Sequence, residues 1–187
     1  MKRLMLRRLN GALLILMILW VSAIQSSLFG LWPLSLLKPD VLLWAVVWCA
    51  LRREFIEGGI LALVLSQIEE LHSAEPSGLA FVTNMFVFLA VHFANRVLVI
   101  PNLRAYATVT GLGFIAKKIV ALILLGALGA YSGSTMGAWK ETAFWIVPRA
   151  AWEAFLGFWV FRGLELFDFA TFKSERSEVG LEDFEVV

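Results

Sequence analysis

The chain has 187 residues, 60% of them hydrophobic and 17% charged, with a mean hydropathy of +0.80 and a formal net charge of +1. Soluble domains run near half apolar and a quarter charged, so this composition argues against a soluble enzyme and predicts lipid as the solvent. Cys49 is the only cysteine, which rules out an intrachain disulfide and a cysteine-based metal site.

A crossing of the hydrocarbon takes about 20 apolar residues, and the chain offers such runs in series. The first, 9–30, follows a basic segment with Lys2, Arg3, Arg7 and Arg8. The same pattern, with small residues at Ser22 and Ala23, reads alternatively as a cleaved signal peptide and five spans. Apolar sequence resumes at LFGLWPL, which favours an uncleaved first helix. Next come two shorter runs, 34–51 and 56–71, on either side of the charged turn RREFIEGG, and this pairing predicts a tight helical hairpin. Runs 79–100, 105–131 and 142–167 follow. The prediction is one six-helix transmembrane bundle over residues 1–172. The segment 173–187 has five acidic residues (Glu175, Glu178, Glu182, Asp183, Glu185) against two basic ones and reads as a solvated tail.

Basic residues set the orientation, because cytoplasmic loops carry the excess of Lys and Arg. Lys2, Arg3, Arg7, Arg8, Arg52, Arg53, Arg96, Arg104, Arg162, Lys173 and Arg176 fall on one side, and only Lys38 and Lys140 on the other. Both termini are therefore expected on the cytoplasmic side of the membrane.

Ionisable side chains within apolar runs are costly unless partnered. Lys117, Lys118, Arg149, Glu153, Glu69 and Glu70 are the residues of this kind, and the spacing predicts a polar cluster joining the third, fifth and sixth helices. Lys117 and Glu153 should lie near the bilayer midplane, with Glu153 paired to Lys117 or Lys118. Arg149, one helical turn from Glu153, should meet Glu69 and Glu70. The cluster is read first as ion pairs that fix packing, and second as a substrate or proton site. Pro148 should kink or loosen the sixth helix. His92 reads as a packing residue, and Gly58 with Ala62, Gly126, Gly129, Gly133 and Gly137 as points of close helix approach. Catalytic, cofactor and metal sites are not indicated by the sequence, and neither is a nucleotide or nucleic-acid site.

The segment KPDVLLWAVVWCALRRE resembles the rod shape-determining protein MreD family, together with Gly58 and Gly59, the acidic end of the third helix, and PSGLA opening the fourth. Glu69 or Glu70 stands where that family has an aspartate, and Pro76, Ser77 and Gly78 stand where it has a proline-leucine-glycine turn. The resemblance implies a fold similar to the S components of energy-coupling-factor transporters. It also implies a non-enzymatic membrane component of the cell-elongation machinery, acting with MreC, MreB, RodA and the elongation transpeptidase in peptidoglycan synthesis. After Pro39, Asp40 would cap the second helix at the outer face, and Arg52 with Arg53 would mark the inner face against lipid headgroups or cytoplasmic partners. A competing reading is the substrate-binding subunit of a transporter for a small vitamin-type molecule, with a pocket at Glu69, Glu70 and Arg149.

Overall fold

The computed structural model describes residues 2–29, 38–72, 76–97, 103–127 and 135–171, which form six α-helices and no strand. In chain order they are α1 (Lys2–Leu28), α2 (Val41–Arg52), α3 (Phe55–His72), α4 (Leu79–Val97), α5 (Leu103–Ala127) and α6 (Thr135–Ala170). Two of them, α4 and the Arg104–Ala127 stretch of α5, are long and apolar enough to cross a membrane by length and composition; α2 and the Leu9–Gln25 stretch of α1 are shorter apolar helices.

The axis of the fold is α2. Every residue from Val41 to Leu51 is buried, so only the terminal Arg52 of this helix reaches the surface. A helix that is hydrophobic all round has to be covered all round, and α3, α4, α5, α6 and α1 all pack against it. At 12 residues it is about 18 Å long. Its core residues Leu43, Ala45, Val46, Val47 and Cys49 pack with Leu65 of α3, Phe88 of α4, Phe114 of α5 and Phe161 of α6.

Both ends of α2 are closed by side chains, as buried helix termini require. Asp40 is the N-cap and accepts the Leu43 N–H at 3.0 Å. At the other end the reach comes from α4: Asn95 donates to the Leu51 carbonyl at 3.2 Å and His92 Nδ1 lies 3.0 Å from the Ala50 carbonyl. His92 is thus a packing residue, stacked on Phe88. The turn into α3 is tight because Gly58 has no side chain; a Cβ there would stand 2.9 Å from the Cys49 carbonyl oxygen. Gly126, by contrast, has open space around it, so it is not a point of close approach, whereas Gly129 and Gly133 lie outside the described residues.

Other boundaries differ from those read off the sequence. The last helix runs 36 residues, about 54 Å, starting before the expected Thr142 because Lys140 and Glu141 are good helix formers rather than breakers. Pro148 sits inside it, on an exposed position. The expected start of the second span, 34–37, and the acidic tail 173–187 lie outside the described residues.

Every helix except α2 turns large apolar side chains outward. Examples are Trp20 and Ile24 on α1, Ile56 and Ile60 on α3, Phe86 and Phe93 on α4, Leu112 and Ile123 on α5, and Phe155, Trp159 and Phe169 on α6.

Candidate functional site

Two polar clusters cap the apolar core, one at each end of α2. At its N-terminal end Lys117 of α5 is buried, and its Nζ lies 2.7 Å from Asp40 Oδ2 and 2.7 Å from Glu69 Oε1 of α3. A single ammonium thus joins three elements, using two of its three N–H donors. Glu69 also accepts a 2.5 Å bond from the Asn84 amide of α4. Glu153 of α6, with no exposure, accepts the Asp40 backbone N–H through both carboxyl oxygens at 3.0 and 3.2 Å. Asp40 therefore serves as helix cap, counterion and backbone donor at once, which ties α2 to α3, α5 and α6 at a single level.

The remaining residues anticipated for this cluster surround it. Glu70 accepts the Gly78 N–H at 2.5 Å, in the turn that starts α4, where Gly78 has φ +87°; that left-handed conformation explains the glycine. Arg149 donates to the Lys38 carbonyl at 2.9 Å, and its guanidinium lies 5.7 Å from the Phe114 ring centre. Lys118 sits 5.9 Å from the same ring.

Two expectations need correction. The partner of Glu153 is the Asp40 N–H, and Lys117 pairs elsewhere, because the N-terminus of α2 lies between α5 and α6 at this level. Arg149 turns to the Lys38 carbonyl and the Phe114 face instead of to Glu69 or Glu70. The cluster lies level with the N-terminal end of α2 and the C-terminal end of α3, since Glu69 is three residues from the end of α3 and Asp40 precedes α2.

The second cluster was not anticipated. Arg53 at the end of α2 is buried and donates to Asp168 Oδ1 of α6 at 2.5 Å and to Asn10 Oδ1 of α1 at 2.8 Å. Asn10 donates to Asp168 and to Thr171, and the Trp48 indole N–H donates to Asp168 Oδ2 at 3.2 Å. Arg53 is thus not a headgroup contact; its charge is matched inside the protein. Arg52 is the partly exposed one of the pair, 2.9 Å from Glu165, with its guanidinium over Trp48 and Tyr106. A polar Asn10 inside an apolar run and an acidic Asp168 near the end of another were the available signals, since buried charges are paired.

These arrangements hold helices together. Each carboxylate and cation named above has a defined protein partner, and among the described residues no group of three or more His, Cys, Asp or Glu side chains is placed to hold a metal ion. Comparisons with protein-family models, with curated proteins and with solved structures found no match.

Proposed function

We propose that the chain is a multi-pass protein of a bacterial inner membrane, with both termini cytoplasmic, and that it works as a non-enzymatic assembly component of the cell-elongation machinery. The observation that carries the membrane reading is the outward apolar surface of the helices around the buried stretch Val41–Leu51 of α2. Monomeric soluble proteins rarely expose contiguous apolar patches above a few hundred Å², and here large apolar side chains are exposed on α1, α3, α4, α5 and α6. The assembly role rests on the resemblance of the KPD…RRE segment, Gly58, Gly59 and PSGLA to the MreD family. It fits a bundle whose ionic groups are engaged with one another. Partners on this reading are membrane lipids, MreC, MreB, RodA and the elongation transpeptidase.

One observation favours the transport reading. The side chains of Asp40 and Glu69 are 20% and 19% exposed, and the buried Asn84 Oδ1 beside Glu69 has no hydrogen-bond partner among the described residues. Purification of the tagged chain from its own membranes in mild detergent, with mass spectrometry of what accompanies it, separates the two. Recovery of MreC and wall synthases is the expected result. Recovery of a transmembrane coupling protein with paired ATPases would replace the assembly reading with transport.

A further inference from the structure

Lys117 and Lys118 are neighbours on α5, and only the first has its charge matched by direct contact. The Lys117 ammonium meets Asp40 and Glu69, both at 2.7 Å. Lys118 turns instead to Phe114, one helical turn back, with its Nζ 5.9 Å from the ring centre. Arg149 reaches the same ring from α6, its guanidinium 5.7 Å from the centre. Two cations from two helices thus share one aromatic ring and stand at most about 12 Å apart, where like charges repel in surroundings this apolar. The ring face attracts each of them but carries no net charge to neutralise either.

Among the described residues no carboxylate forms an ion pair with Lys118 or Arg149. The acidic groups at this end of α2 are engaged elsewhere: Asp40 and Glu69 with Lys117, Glu153 with the Asp40 N–H, and Glu70 with the Gly78 N–H. Arg149 gives one N–H to the Lys38 carbonyl, and its buried Nε–H has no hydrogen-bond partner among the described residues. Both side chains are partly exposed, so their charged ends are open to a ligand. A guanidinium fork beside an ammonium on a flexible stem suits a phosphate group, whose oxygens can accept from both at once. We propose that Lys118 of α5 and Arg149 of α6, gathered on Phe114, form a binding site for the phosphate group of a lipid headgroup or of a soluble phosphate ester. The site rests on neither the assembly reading nor the transport reading.

The test follows thermal unfolding of the full chain in a neutral detergent, with two probes added separately at constant ionic strength. One is phosphatidylglycerol against phosphatidylcholine of the same acyl chains, and the other is glycerol 3-phosphate against chloride. A ligand that binds only the folded chain raises the midpoint. At least one probe should raise it by several degrees over its control; Lys118→Gln should abolish most of that rise and Lys118→Arg should keep it. Lys118 makes no hydrogen bond among the described residues, so its replacement leaves the bundle in place. Arg149→Gln, a second variant, should lose the rise as well. A rise with phosphatidylglycerol alone identifies a lipid headgroup as the ligand, and a rise with glycerol 3-phosphate identifies a soluble phosphate ester. No rise with either probe, or a rise that Lys118→Gln leaves unchanged, would overturn the proposal.

Discussion

Lys117 is the residue on which the polar cluster at the N-terminal end of α2 turns, because it is the cation shared by Asp40 and Glu69. Removing one partner of a buried ion pair costs more than the pair itself contributes, about 3–5 kcal/mol, since a buried charge is left unmatched. Lys117→Met should therefore lower stability by about that much in denaturant unfolding of the detergent-solubilised protein. Adding Glu69→Gln should restore part of the loss, and a double variant worse than the single one would refute the shared-cation geometry. Glu153 behaves differently, because its role is to accept one backbone N–H. Glu153→Gln keeps an acceptor oxygen and should be nearly silent in the same assay, while Glu153→Ala leaves the Asp40 N–H orphaned and should cost about 1–3 kcal/mol. Lys117 and Glu153 were legible in the sequence as ionisable groups in apolar runs. Their partners were not, because Asp40 lies 77 residues from Lys117 and 113 from Glu153, and nothing local measures such a distance. Arg53 shows the opposite case: a paired arginine at a helix end reads as surface until Asp168, 115 residues on, is seen to meet it.

Among the elements, α2 and its turn into α3 were the most legible, since an apolar run ended by paired arginines and followed by Gly58 and Gly59 can scarcely be anything but a helical hairpin. What the pattern did not reveal is that α2 is surrounded. A continuous apolar run is equally suited to lipid and to protein, and only the packing of five helices against it decides. The closeness of α2 and α3 gives an element-scale prediction. Gly58→Val would place its Cβ 2.9 Å from the Cys49 carbonyl oxygen and 3.1 Å from the Phe88 ring, forcing the helices apart. Overpacking of this kind costs about 1–3 kcal/mol. Thermal unfolding should show the loss for Gly58→Val, and Gly126→Val, at a position with open space around it, should show none beyond helix propensity. Equal behaviour of the two variants would mean that the α2–α3 approach is not tight.

At the scale of the molecule, the fold is an apolar bundle with ionic layers near the two ends of its central helix. The layers are about 18 Å apart, the length of α2, which is less than the roughly 30 Å of a bilayer's hydrocarbon. On the membrane reading proposed above, both layers would lie within the hydrocarbon, where internal pairing makes buried charges tolerable. The six-helix count follows from hydropathy. The matched interior does not, because it is assembled from residues far apart in the chain. The most direct measurement is accessibility mapping in intact cells with a membrane-impermeant maleimide, using a single added cysteine over the buried Cys49. Ser77→Cys should react from outside, whereas Glu54→Cys and Arg176→Cys should react only after the membrane is permeabilised. Reaction of all three from the same side, or recovery of the chain in the soluble fraction, would contradict a multi-pass bundle with both ends in the cytoplasm.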